Sequence, residues 1–174
     1  ATDIPSLYLL RAREFVINKG PRLRLNGNER NYQNEAFSKL PAATLGWGAT
    51  SGSYALTQYD MQTIGCNSQQ RQGLLPEEKF WNNSGIIDEY NKLFNNVSKN
   101  DNGNEEIWGN VINLIPTIYH EQYHLVDALN RAGEDSAHGI IYPLQMNYMQ
   151  TLKDNPSKES EIEQAFGLDP LRPG

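Results

Sequence analysis

Five residues, His120-Glu121-Gln122-Tyr123-His124, constrain this chain more than any other stretch. They read H-E-x-x-H and lie within an apolar run at Ile107, Val111, Leu114, Ile115, Ile118, Leu125, Val126 and Leu129. Spacings of three and four mark a helix with a core-facing stripe. Residues four apart on a helix lie one above the other, so both imidazoles face the same way. Two imidazoles on one face can hold a zinc ion. Glu121, beside the first of them, is placed to act as general base on a water. The chain has only three histidines, and two of them fall at this spacing with a glutamate between. That favours the metal reading over two incidental histidines, and points to a zinc-dependent hydrolase.

Pro116 interrupts the stripe, and proline is tolerated only in a first helical turn. The active-site helix is therefore expected over about residues 116–132, with Gly133 as its C-cap. Residues 134–156, with Gly139, Pro143 and Pro156, read as an irregular crossing. Ser157 is expected to cap a last helix through Phe166, which Gly167 ends, and Pro170 and Pro173 keep the tail extended.

In the first half, residues 6–17 fit a short helix, or a strand from Glu14 onward. Arg22-Leu23-Arg24-Leu25 alternates, and Asn26-Gly27 follows as a turn signal, which suggests a strand and hairpin. Short strands are expected around residues 45–48 and 53–57. Pro76 opens a helical turn, residues 86–94 form another short helix, and residues 95–104 form a polar loop. The expected fold class is α+β, a single domain over residues 1–174 with a small N-terminal sheet and the H-E-x-x-H helix. Tyr119 and Tyr123 flank the motif and are expected to pack.

A length of 174 residues is enough for one domain with a real core. The net charge is -6 and the lysines and arginines are scattered, which argues against a nucleic-acid partner. No run of eighteen apolar residues spans a membrane. The start, Ala1-Thr2-Asp3-Ile4-Pro5, lacks a basic-then-apolar signal pattern, and fits either a mature end or a domain of a longer protein. The single cysteine, Cys66, can form no internal disulfide and reads as a small, part-buried side chain.

A catalytic zinc needs a third protein ligand and an open position. A third histidine six residues after the second would complete one familiar pattern, but Asn130 stands there. Asp127 is better placed to orient a histidine than to reach the ion. His138, just past the expected helix end, could be a third ligand or a donor to a developing oxyanion. Glu159, Glu161 and Glu163 lie on the last helix, from which a glutamate ligand can come. Tyr142 and Tyr148 are further candidate oxyanion donors.

The segment from about residue 107 to 172 resembles the zincin-type metallopeptidase domains of bacterial secretion-system effectors. These include NleD/HopH-like effectors, Rhs toxin tips and VgrG-fused peptidases. Members often end in E-N-x-x-R-x-x-x-G-L-P-x-R, and Glu159, Gly167, Leu168, Pro170 and Arg172 follow that pattern loosely. Ser160 stands where asparagine is usual, Glu163 where arginine is usual, and Asp169 is an extra residue before the proline. The resemblance implies zinc held by His120, His124 and Glu159, with Glu121 as catalytic base. It implies a zincin-like fold whose first hundred residues supply an edge strand, on which an extended peptide adds as a strand.

It also implies a secreted or translocated toxin, acting in a host cytosol or a target-cell periplasm on a protein or peptide substrate. A cognate immunity protein or a secretion apparatus would be its other partners. Two alternatives stand beside this: a hydrolase of peptidoglycan peptides on the same scaffold, and a non-enzymatic spike or tail binding module. Glu121 weighs against the last, because a purely structural metal site has no use for it.

Overall fold

Helix α5 (Leu114–Tyr123) is buried along all 10 of its residues, and the other elements are arranged around it. The protein is seen in a computed structural model that describes residues 4–49, 53–73, 83–94 and 111–168. Helices α1 (Ile4–Asn18), α2 (Gly27–Lys39) and α7 (Glu134–Lys153) pack against α5. So do strands β2 (Ala55–Gln58) and β3 (Thr63–Asn67). The described residues form a mixed α+β fold, mostly helical, with one small sheet. Strand β1 (Thr44–Ala49) pairs parallel with β3, and β2 pairs antiparallel with β3, in the order β1-β3-β2. Among the described residues β2 is therefore an edge strand, and it packs against α5.

Several sequence expectations change. Residues 6–17 lie within one helix, α1, and no strand starts at Glu14. Asn26-Gly27 is not a hairpin turn. Asn26 accepts the Glu29 N–H at 2.9 Å while the Glu29 carboxylate accepts the Asn26 N–H at 3.0 Å, a reciprocal cap that starts α2. The strands expected near residues 45–48 and 53–57 appear as β1 and β2. The helix expected at residues 86–94 is α4 (Asn83–Phe94). The helical turn expected from Pro76, the loop at residues 95–104, Ile107 and the prolines at 170 and 173 lie outside the described residues. The short α3 (Ser68–Gly73) follows β3. No described helix is long and apolar enough to cross a membrane.

Helix α5, expected to carry the active site, is shorter than its apolar stripe. It ends at Tyr123, where His124, Leu125 and Val126 switch to N–H bonds three residues back, and Val126 is extended (φ -73°, ψ 125°). The chain restarts as α6 (Asp127–Ala132). Groups from α2 satisfy the backbone at this break. Glu35 accepts the Asp127 N–H at 2.8 Å, and Lys39 Nζ donates to the Leu125 carbonyl at 2.8 Å and to Asp127 at 3.0 Å. Tyr59 also donates to the Asp127 carboxylate. Asp127 thus fastens the break to its surroundings, and orients neither histidine.

Gly133, at φ 91° and ψ 162°, then reverses the chain in a backbone region that is essentially glycine's alone. The residues expected as an irregular crossing form α7, a helix of 20 residues with Pro143 inside it. Proline removes one helical hydrogen bond, that to the Gly139 carbonyl. Gly139 and Pro143 are both exposed, so water can take up that carbonyl. On the opposite face Ala137, Ile141, Leu144, Tyr148, Met149 and Leu152 form a buried stripe that holds the helix. The last helix is α8 (Pro156–Glu163), capped by Asn155 rather than Ser157, and it continues as a wider turn over Gln164–Leu168.

Cys66 is 1% exposed, more buried than expected, and burial pushes its thiol up to about 12. Tyr119 and Tyr123 pack as expected, edge to face at 5.2 Å, with Tyr119 stacked on Tyr148 at 3.9 Å.

Glu89 of α4 is 4% exposed and accepts the Val111 N–H at 2.5 Å, just before α5. Burial raises its carboxyl to about 8, against smaller lowering effects from the Val111 amide, Lys92 and the Ile112 amide. The folded state therefore keeps a proton that the unfolded chain releases near 4.5. Between about pH 4.5 and 8 the folded state binds more protons, so stability falls as pH rises through that window. Above it the whole loss, roughly 5 kcal/mol at most, remains. Glutamine imitates the neutral acid. Glu89→Gln is expected to flatten this dependence and to be the more stable protein at pH 9. Urea unfolding of both proteins from pH 4 to 9 checks it, and parallel curves would refute the assignment.

Candidate functional site

Helix α5 presents His120 and Glu121 in its last turn, and His124 is the residue that closes it. The two imidazoles do share a face, with ring centroids 5.2 Å apart and Nε2 atoms 3.3 Å apart. The third histidine joins them. His138 sits in the second turn of α7, which Gly133 sends back across the end of α5. Its Nε2 is 3.2 Å from His124 Nε2, and its ring is 5.1 Å from that of His120. Among the described residues, His120, His124 and His138 form the one group whose ligand atoms converge closely enough to hold a metal ion, all within 4.8 Å of one another.

The donor set fits zinc. Tetrahedral Zn–N bonds of about 2.0–2.1 Å hold ligand nitrogens about 3.3–3.4 Å apart, close to the separations seen here. The rings of His120 and His124 are also in the ligating form. Burial pushes both His120 and His124 down to about 4, so both are neutral at pH 7. The 3.7 Å approach of His120 Nε2 to Glu121 is accordingly not an ion pair at that pH. His120 Nδ1 lies 2.8 Å from Gln145 Oε1. A carbonyl oxygen can only accept, so Nδ1 carries the proton and the Nε2 lone pair points at the other two rings.

One face of α7 supplies the partners of the cluster. His138, Tyr142 and Gln145 follow one another at spacings of four and three, and lie along one side of the helix. Tyr142 stacks on His138 at 4.7 Å and lies 5.1 Å from His120. The sequence carries this spacing, but Gly139 and Pro143 hide the helix that gives it meaning.

Glu121 is 7% exposed. Thr57 Oγ1, on edge strand β2, donates to its carboxylate at 2.7 Å and lies 3.1 Å from its carbonyl. Burial pushes the carboxyl up; His124, the Thr57 hydroxyl and His138 oppose that, and nearby Glu134 adds to it. Glu121, His124 and His138 line a cleft of about 250 Å³ together with Leu56, Thr57, Leu129 and Glu134.

Glu159 is not part of the cluster. It lies on α8, close enough to Tyr90 to help burial push that phenol up to about 12. Tyr90 donates to the Leu152 carbonyl at 2.8 Å, near the far end of α7. Fourteen helical residues separate Leu152 from His138, roughly 21 Å along the axis. Of the other carboxylates considered, Glu161 pairs with Lys158 at 3.0 Å, and Glu163 is on the same helix. Tyr148 is 1% exposed, stacked on Tyr119. Among the candidate oxyanion donors, His138 and Tyr142 are the two at the site. Comparison with protein-family models, curated proteins and solved structures finds no match for this chain.

Proposed function

We propose that the protein is a zinc-dependent peptidase in which His120, His124 and His138 hold the metal and Glu121 is the general base. The observation that carries the reading is the buried Glu121 carboxylate beside three converging imidazole Nε2 atoms at a cleft. A structural site has no need of such a neighbour. Bound there, zinc supplies a Lewis acid for a carbonyl oxygen and makes water acidic enough to attack near neutral pH.

The chain's own groups do the rest. Glu121 takes the proton of the attacking water and delivers it to the departing amine. Thr57 holds the carboxylate at its 2.7 Å contact and so fixes where the proton is received. Gln145 holds the His120 tautomer. Tyr142, against His138 and His120, is the side chain best placed to donate to a developing oxyanion. Strand β2, at the edge of the sheet among the described residues, would let an extended peptide add as a strand next to Glu121. This pairing of an H-E-x-x-H helix with an edge strand supports a zincin-like reading of the fold. The substitution of a helix-borne histidine for a glutamate as third ligand sets it apart from the ligand set that the resemblance implied.

The test is metal content by mass spectrometry, on protein purified without added metal or chelator. About one zinc per chain is expected in the wild type and none in His120→Ala. A wild type that takes up no zinc even after reconstitution would make the motif a coincidence and leave a binding module as the better reading.

A further inference from the structure

The cleft beside Glu121 has a mixed apolar and polar lining. Leu56, Leu129 and Ala137 are its apolar lining residues, with Leu129 and Ala137 almost fully buried and Leu56 37% exposed. Asn130 and Glu134 stand exposed at its rim. Among the described residues no lysine or arginine lines it. Among the described residues Glu134 has no ion-pair partner.

Glu134 opens α7, where the partial positive charge of a helix N-terminus would draw an anion. The two carboxylates of that first turn, Glu134 and Asp135, outweigh it. The cleft therefore combines an apolar lining with an exposed acidic side chain, Glu134. A lysine or arginine side chain has the matching form, a methylene stem with a cation at its tip.

We propose that this cleft selects a lysine or arginine beside the scissile bond, with the stem along Leu56, Leu129 and Ala137 and the cation at Glu134. This rests on the peptidase reading and names its substrate class: basic peptides. The net charge of -6 acts in the same direction, because it draws cationic chains toward the protein.

The experiment uses the zinc-loaded full chain and internally quenched peptides that differ at one position, with lysine, norleucine or glutamate flanking the cleaved bond. Norleucine keeps the stem and drops the charge. Wild type is expected to favour lysine over norleucine about fivefold in kcat/KM, the size of a partly screened pair. Glu134→Gln is expected to bring that ratio near one, and Glu134→Lys to favour glutamate over lysine. Cleavage with a lysine ratio that neither substitution moves would overturn the assignment and leave the peptidase reading intact.

A second readout separates the two ideas further. Fluorescence anisotropy of the same peptides on zinc-loaded Glu121→Gln measures binding without turnover. A Glu134-dependent preference there, with no cleavage of any peptide by wild type, would sustain the cleft and sink the peptidase. Equal binding of the lysine and norleucine peptides would sink the cleft.

Discussion

Replacing His138 with alanine is expected to weaken zinc binding by at least about a hundredfold, while Glu159→Ala leaves it within about twofold. Loss of an outer partner of a metal ligand already weakens binding roughly 10- to 100-fold, and removal of a ligand itself takes away a bond. His138 Nε2 lies 3.2 Å from His124 Nε2, at the edge length of a tetrahedral site. Glu159 lies on α8 near Tyr90 instead. Competition against a chromophoric chelator at pH 7 measures both variants on one scale. Thermal unfolding without metal controls for folding, and His138 is only part-buried, so its removal leaves the core whole. The opposite ranking, with Glu159→Ala losing zinc and His138→Ala keeping it, would return the third ligand to α8.

The contrast between these two residues shows what a one-dimensional pattern carries. The positions of His120, Glu121 and His124 depend only on local helical geometry, and a spacing of four places the rings together in any fold that keeps the helix. The approach of His138 to the other two rings depends on a chain reversal. Gly133 was readable as a helix end, but its φ of 91° sets the direction in which the next helix leaves. Pro143 then argued against any helix at all, because its price in a helix interior is about 3 kcal/mol. What offsets it is tertiary: the buried stripe from Ala137 to Leu152. That stripe was in the sequence, and so was the line of His138, Tyr142 and Gln145 on a neighbouring face. Two glycine and proline signals outvoted both.

The same competition between local and distant forces explains the other differences. Asn26-Gly27 is a strong hairpin signal by itself, but Glu29 three residues after Asn26 makes a reciprocal cap, and the cap prevails. The apolar stripe runs unbroken through Leu125, Val126 and Leu129, and nothing local ends the helix at Tyr123. The break is made by Glu35 and Lys39, about 90 residues earlier in the chain, which satisfy the backbone there. A consequence for the site is that His124 lies at a helix end, next to the turn that starts α6, with Leu129 and Asn130 of α6 on the cleft wall. An unbroken helix through Ala132 would carry those residues elsewhere.

Glu121→Gln is expected to keep zinc and lose peptide hydrolysis by about a thousandfold or more. Proton transfer by a positioned side chain contributes roughly 10²–10⁴-fold, and an amide can neither take the proton from water nor hand it to the amine. The substitution preserves shape, and the Thr57 hydroxyl can still donate to the amide oxygen as it does to Oε1. Retention of about one zinc per chain is therefore part of the result. Thr57→Val belongs beside it. Thr57 donates to Glu121 from the cleft lining, so its loss is expected to lower kcat about tenfold through the disturbed aim of the carboxylate, a smaller effect than loss of the carboxylate itself. Steady-state cleavage of a quenched lysine peptide, with zinc content measured on the same samples, compares the three proteins. Full activity in Glu121→Gln would remove the general base from the mechanism. Equal losses in Glu121→Gln and Thr57→Val, with zinc lost from both, would instead make the pair a brace for the metal site. A large loss with zinc retained in the first, and a small one in the second, is the pattern that only a proton-transferring Glu121 produces.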